Sequence, residues 1–141
     1  MLFPALDIST SGMTAQRTRM MVRSSNLANI STTVNEQGEP APYKPRFVVF
    51  RANEEEQTTD GAMGVRVDSV EVSQAPPILR WDPDNPAAIK TGPKAGNVAY
   101  PDINMLGEMT DAMEAVRSYE ANLGVFEMTR DLAEQTLRIL A

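Results

Sequence analysis

Two aspartates, Asp82 and Asp84 in the stretch WDPDNP, come closest to a group that could do chemistry. Paired carboxylates can act as acid and base, or bind a hard cation such as calcium. The simpler interpretation is a proline-bracketed turn whose side chains bond to nearby backbone groups. The sequence contains no histidine and no cysteine, so it lacks the usual general base, the commonest metal ligand and any thiolate nucleophile. We therefore predict a protein that is not an enzyme and needs no cofactor or metal.

Other conspicuous residues are also best explained by structure. Glu54, Glu55 and Glu56 are predicted to lie in a solvated loop, and Trp81, the only tryptophan, to anchor a small β core. No glycine-rich phosphate loop, catalytic triad or metal-ligand cluster is present. The features that remain informative concern association between chains.

The first region of the sequence predicts a helix from residue 5 to about residue 29. Two apolar rows recur there at intervals of seven, and they lie on different sides of the helix. The first row comprises Leu6, Met13, Met20 and Leu27, and the second comprises Ile8, Ala15 and Val22. We expect the first row to pack on the C-terminal helix of the same subunit and the second to face a neighbouring subunit.

The last region predicts a long helix from about residue 104 to the end. Its apolar residues alternate steps of four and three, which is the heptad pattern of a coiled coil. They are Met105, Met109, Ala112, Val116, Tyr119, Leu123, Phe126, Ala133, Leu137 and Leu140. A seam of this length requires a long partner helix, and Tyr119 and Phe126 are expected to pack within it.

The region between the helices has a different composition. Nine of the ten prolines lie within residues 31–101, together with three β-branched runs, YKPRFVVF, GVRVDSVEV and PILRW, which predict short strands. The connecting stretches 34–42, 51–64 and 83–97 are predicted to be loops. The second of them is acidic and is predicted to be mobile. The sequence thus predicts an α+β fold in which long N- and C-terminal helices, residues 1–30 and 102–141, pack as a coiled-coil-like pair around a small strand-rich insert, residues 31–101.

Charge is unevenly distributed between the two ends. Residues 1–30 carry a net charge of +2 and residues 102–141 a net charge of −5. These opposite charges are expected to favour the register of the two helices. Neither end is basic enough for a nucleic-acid footprint, no stretch approaches the roughly 20 apolar residues of a membrane span, and the first residues do not form a cleavable signal peptide.

The stretch SSNLANIST closes the first helix, with Asn26 and Asn29 three residues apart on one face. Asn29 is expected to adopt the left-handed conformation that ends a helix. The segment SNLANIST resembles the S-N-x-A-N-x-x-T signature of the bacterial flagellar rod, hook and hook-associated proteins. The opening ALDISTSGMTAQRTRM, the internal APYKPRFVVF and QAPPILRWDPDNP, and the closing VAYPDIN and RSYEAN are similar to the proximal rod members of that family.

The resemblance implies a structural subunit of the flagellar basal-body rod. Such a subunit is exported by the flagellar export apparatus and assembles in the periplasm into a helical tube. The implied partners are further copies of the chain, other rod subunits, and the MS-ring and rod-base components. Within this picture Asn26 and Asn29 are expected to bond between subunits.

The residues expected at subunit contacts come from both helices and from the asparagine stretch. They are Leu6, Ile8, Met13, Val22, Asn26, Leu27, Asn29, Met109, Val116, Tyr119, Asn122, Leu123, Phe126 and Leu137. Two alternatives remain open from the sequence: a self-contained coiled-coil adaptor that dimerises through residues 105–140, and a small metal-binding or enzymatic domain centred on Asp82 and Asp84.

Overall fold

The computed structural model describes residues 3–54 and 61–140 of the 141. Its elements follow in the order α1 (Phe3–Ala28), β1 (Arg46–Asn53), β2 (Gly64–Val72), β3 (Ile78–Trp81), β4 (Asn97–Tyr100) and α2 (Met105–Leu140). Along the chain, the strands of two small antiparallel sheets lie between an N-terminal and a C-terminal helix. The predicted α+β class is therefore confirmed.

Both predicted helices are present. In α1, Pro4 lies in the first turn, where its missing N–H costs nothing, and Gly12 is the only glycine. Serine and threonine hydroxyls within α1 bond back to carbonyls three or four residues earlier, as Ser9 does to Ala5. Asn104 caps α2, because its side-chain oxygen accepts the backbone N–H of Gly107 at 3.1 Å.

The two helices pack against each other in antiparallel orientation. Arg23 near the end of α1 contacts Glu108 near the start of α2, and Gly12 lies against Asn122 further along. At 1.5 Å per residue α1 spans about 39 Å and α2 about 54 Å. The register therefore leaves about the last ten residues of α2 beyond the beginning of α1, and Leu132, Leu137 and Ile139 are exposed there.

The strands form two separate two-stranded ribbons. β1 pairs with β2 from Arg46↔Val72 to Asn53↔Gly64, with a bulge between Val49 and Phe50. This ribbon lies against α1, where the Ser11 hydroxyl accepts the Val65 N–H at 3.1 Å. The three predicted strands exist, although the first lies three residues later than the run that predicted it.

The second ribbon contains a strand that the sequence did not predict. β3 pairs with β4 from Ile78↔Tyr100 to Trp81↔Asn97. β4 has only four residues and follows a long irregular stretch, so its pattern is too short to separate from a loop.

The predicted loop 51–64 is shorter than expected, since residues 51–53 belong to β1 and residue 64 begins β2. Glu55 and Glu56 of this loop fall outside the described residues.

The core beside the second ribbon is made of small side chains. Ala87, Ala88 and Val98 are buried and Tyr100 packs against them. Trp81 is 71% exposed, so the expectation that it anchors this core is wrong. The stretch 83–97 folds back on the ribbon and supplies two alanines, which leaves no room for an indole. Neither described helix is long and apolar enough to cross a membrane.

We predict that Gly12→Val destabilises the helix pair. A Cβ at residue 12 would lie 2.9 Å from the Asn122 side-chain nitrogen. A bulkier side chain must displace the Asn122 amide from its place between the helices and from its bond to the Ser118 carbonyl, at a cost of roughly 1–3 kcal/mol. The midpoint of thermal unfolding, followed by circular dichroism at 222 nm, measures the loss.

Gly124→Val is the matched control, because nothing lies within 4 Å of a Cβ built at that helical glycine. It is expected to leave the midpoint unchanged or slightly raised. Equal losses for the two variants would contradict the close approach of the helices at Gly12.

Candidate assembly interface

Asn26 is completely buried and holds three parts of the chain together. Its amide nitrogen donates to the Arg46 carbonyl at 2.8 Å and to a Glu108 carboxylate oxygen at 3.0 Å. Its side-chain oxygen accepts the Tyr43 hydroxyl at 3.0 Å and the Arg46 N–H at 2.9 Å. We call Asn26, Tyr43, Arg46 and Glu108 the joint, since they connect the end of α1, the entry to β1 and the start of α2.

The joint uses the full hydrogen-bonding capacity of the Asn26 amide, which has two donors and two acceptor positions. The bonds to both backbone groups of Arg46 resemble those between neighbouring strands. No capacity remains for another chain, so the expectation that Asn26 bonds between subunits is wrong. Its role is to fix where the insert leaves the helix pair.

Ion pairs extend the joint along the helices. Arg23 contacts Glu108 and Asp111, each at 2.8 Å, while Arg19 lies 3.9 Å from Asp111 and 3.6 Å from Glu114. The Glu108 side chain is only 12% exposed, so this contact is screened less than a surface pair. The opposite charges of the two ends thus meet within one chain, and they set the antiparallel register.

Asn29 has a local role. Its amide donates to the Ser25 carbonyl at 2.8 Å, and its side-chain oxygen accepts the Thr32 hydroxyl at 3.1 Å. Within the described residues only glycines have a positive φ angle, so the expected left-handed conformation of Asn29 is wrong. The side chain itself closes the last turn, which removes the need for that conformation.

The apolar rows of α1 are distributed differently from the prediction. Ala15 is 2% exposed, so it cannot face a neighbouring subunit as expected. It lines the groove between α1 and the first ribbon. Ile8 and Val22 of the same row are half-buried, and so are Leu6, Met13 and Leu27 of the first row.

The heptad seam of α2 divides into two rows with different surroundings. One row begins exposed at Met105 and becomes half-buried at Tyr119, Phe126 and Ala133. A strict seven-residue repeat drifts by about 20° per heptad around a straight helix, so this row drifts by about 80° over four heptads toward the face that meets α1.

The second row stays exposed along its length. Met109 is 49% exposed, Val116 41%, Leu123 36% and Leu137 67%. α1 therefore covers only part of the predicted seam. We call Met109, Val116, Leu123 and Leu137 the outer row.

The most deeply buried residues between the helices are small. Gly12 on α1 and Ala115 on α2 are buried, Ala115 completely. Asn122, which faces Gly12, is half-buried and donates to the Ser118 carbonyl at 2.9 Å. Sequence reasoning missed Gly12 and Ala115, although a lone glycine in a long helix often indicates close packing.

The aspartate pair forms a turn. The Asp82 carboxylate accepts the Asn85 amide at 3.1 Å and the Asp82 N–H donates to Gly96, while Asp84 is exposed. Across residues 3–54 and 61–140, no group of three or more acidic side chains is arranged to hold a metal ion.

Comparison with known proteins identifies related chains. The family model described as "Flagella basal body rod protein" matches residues 6–35, and "Flagellar basal body rod FlgEFG protein C-terminal" matches residues 94–139. Both helices are thus matched, with the joint residues Asn26 and Glu108 included.

Curated relatives match almost the whole chain. The flagellar basal-body rod protein FlgC of Aquifex aeolicus is 40% identical, over 96% of this chain and 94% of its own. FlgC of Escherichia coli O6:H1 is 37% identical, over 98% and 97%. FlgC of Borreliella burgdorferi is 34% identical, over 99% and 97%.

We predict that Asn26→Asp destabilises the chain by about 3 kcal/mol or more. The change removes two buried donors and places a second carboxylate against Glu108, and each unsatisfied or repelled buried group costs about 1–3 kcal/mol. Chemical unfolding followed by circular dichroism measures the change in the free energy of unfolding.

Asn29→Asp is the matched control in the same stretch, because it removes a single donor to a local carbonyl. We expect it to cost about 1 kcal/mol. Glu108→Gln added to Asn26→Asp should recover part of the loss, since it removes the repulsion between the two carboxylates. Equal losses for Asn26→Asp and Asn29→Asp would refute the joint as described.

Proposed function

The chain belongs to the FlgC family of flagellar basal-body rod proteins and is a structural subunit of the rod, and on that premise we propose that it polymerises through its two terminal helices. The product is a helical tube that transmits torque and encloses the export channel. The outer row of α2 carries the proposal, because Met109, Val116, Leu123 and Leu137 are left uncovered within the chain.

Exposure of this kind indicates a missing partner. The row is apolar from Met109 to Leu123, is interrupted at Arg130 and resumes at Leu137. An exposed apolar stripe of this kind marks a surface that another molecule covers. The outer row has heptad spacing, so a helix is the partner that it fits. The coiled-coil-like pairing predicted from the seam is thus proposed between helices of neighbouring subunits, in addition to the antiparallel packing within one chain.

Helices from both ends supply the proposed contacts. On α1 the half-buried residues Leu6, Ile8, Met13, Val22 and Leu27 flank the face that meets α2, and on α2 Tyr119, Asn122 and Phe126 lie beside the outer row. We propose that residues 1–30 and 102–141 form the axial layer of the tube and that residues 31–101 form an outer insert.

The shape of one subunit favours an open assembly. Its outer row and the overhanging end of α2 differ from the surfaces that α1 presents, so contacts between copies are heterologous. Contacts of this type that do not close generate helical filaments. Other rod components, the MS-ring and rod base, and the export apparatus are the proposed partners, and the assembled rod is proposed to cross the periplasm.

We predict that Leu123→Asp prevents incorporation into the rod and leaves the subunit folded. Leu123 is 36% exposed, so a carboxylate there remains hydrated in the monomer but would be buried unpaired in the assembly. Immunoblots of purified basal bodies and swimming in soft agar measure incorporation, with loss of both expected.

Leu123→Met keeps the volume and apolar character of the side chain, so it serves as the control and should swim normally. The free energy of unfolding of Leu123→Asp should fall by only about 1 kcal/mol, through the lower helix propensity of Asp and the apolar area lost, so the subunit stays folded. Normal rods built from Leu123→Asp subunits would exclude the outer row as the assembly surface.

A further inference from the structure

Trp81 lies on the surface in an arrangement that suits insertion into a partner. It is the only tryptophan in the sequence and is 71% exposed. Its ring lies over Gly96, where a Cβ would come within 2.5 Å of the ring carbon Cζ3. One face of the indole is thus supported by backbone and the rest is open to solvent. Tryptophan is one of the three residue types, with tyrosine and arginine, that are enriched among the residues contributing most to binding at protein interfaces.

Trp81 lies at one end of the second ribbon, which is formed by β3 and β4. A cleft at the other end of this ribbon can receive one large apolar side chain. Its volume is about 270 Å³, and its lining is made largely of Pro42, Tyr43, Pro45, Pro77 and Pro101. Prolines offer no N–H to a polar ligand. Small-molecule sites begin at about 300 Å³, so the cleft fits a single aromatic side chain better than a metabolite.

Trp81 cannot fill the cleft of its own chain. Pro77 and Pro101 adjoin the Ile78↔Tyr100 pair at one end of the ribbon, and Trp81 pairs with Asn97 at the other end. Three residues of strand separate these ends, about 10 Å. The indole and the cleft therefore lie at opposite ends of one short, hydrogen-bonded unit.

Charges around the two features are complementary. Arg80 and Asp84 flank Trp81, and Lys44 and Asp102 belong to the cleft. All four are exposed, and among the described residues none of them takes part in an ion pair closer than 4.0 Å. The Arg80 guanidinium already lies over the Tyr100 ring of its own chain, 5.1 Å from the ring centroid. An indole entering the cleft can therefore bring one new pair together, Asp84 of one copy and Lys44 of the other.

We propose that Trp81 of one copy inserts into the proline-lined cleft of a second copy. The contact joins different surfaces of two identical chains, so it repeats from copy to copy without closing. It adds a contact between inserts to the contacts between helices, and it rests on the proposed function of the chain as a polymerising rod subunit.

Cross-linking of basal bodies tests the proposal. The parent chain contains no cysteine, so Ala41→Cys in the cleft lining and Pro83→Cys next to Asp84 add the only two thiols of the subunit and keep the Lys44 and Asp84 charges. Both positions are exposed, and the substitutions should leave the fold intact. A short bismaleimide is added to basal bodies that contain this subunit as its only version, and the products are separated by denaturing electrophoresis and detected by immunoblot.

We expect a ladder of dimers, trimers and larger species from the double variant and only monomer from each single variant. Three results would overturn the proposal: monomer alone from the double variant, a product joined to a protein of another size, or dimers from either single variant. Absence of the parent chain from basal bodies would contradict the proposed function instead.

Charge reversal provides an independent test in living cells. Lys44→Glu and Asp84→Lys should each reduce the swimming-ring diameter at least twofold, and their combination should restore it, because the pair is recreated with opposite polarity. Trp81→Ala should reduce swimming by a similar factor, and Trp81→Phe by less. A combination that swims worse than either single charge variant, or normal swimming by Trp81→Ala, would refute the contact.

Discussion

The architecture depends on one buried amide. Asn26 bonds at once to the backbone of Arg46, the Tyr43 hydroxyl and the Glu108 carboxylate. Without these bonds the end of α1, the entry to the insert and the start of α2 would have no fixed relation, because the small side chains around them bury little apolar surface. An amide suits this position because it donates and accepts equally, whereas a carboxylate would repel Glu108 and an aliphatic side chain would leave the Arg46 backbone groups unpaired.

Small and polar residues inside the subunit leave its large apolar residues outside. Close approach at Gly12 and Ala115, together with the ion pairs of Arg19 and Arg23, holds the helices together. The four apolar side chains of the outer row are consequently left exposed, which is the basis of the packing proposed between subunits. This division suits a rod component, since the monomer is specified by polar geometry while the polymer gains the hydrophobic free energy.

The sequence predicted where the helices and strands lie better than it predicted which side of each helix is buried within the chain. Spacing located both helices and three of four strands, and composition located the insert between them. Helix periodicity reports only that a row is apolar, so it could not distinguish a row that packs in the chain from one that packs between chains, and Ala15 was assigned to the wrong side. The four bonds of Asn26 join residues up to 82 positions apart, a relation that no local pattern contains. Trp81 was misplaced because the two alanines that replace it in the core carry no strong sequence signal.

The separation along the chain between α1 and α2 has a consequence for folding kinetics. Arg23 and Asn26 on α1 both bond to Glu108 on α2, 85 and 82 residues later. A chain that emerges N-terminus first must therefore leave the side of α1 that meets α2 uncovered until most of its length has appeared, and contacts of such long range form slowly. The last structural element to emerge is thus the one that completes the packing of the first, an order that suits the export route proposed above.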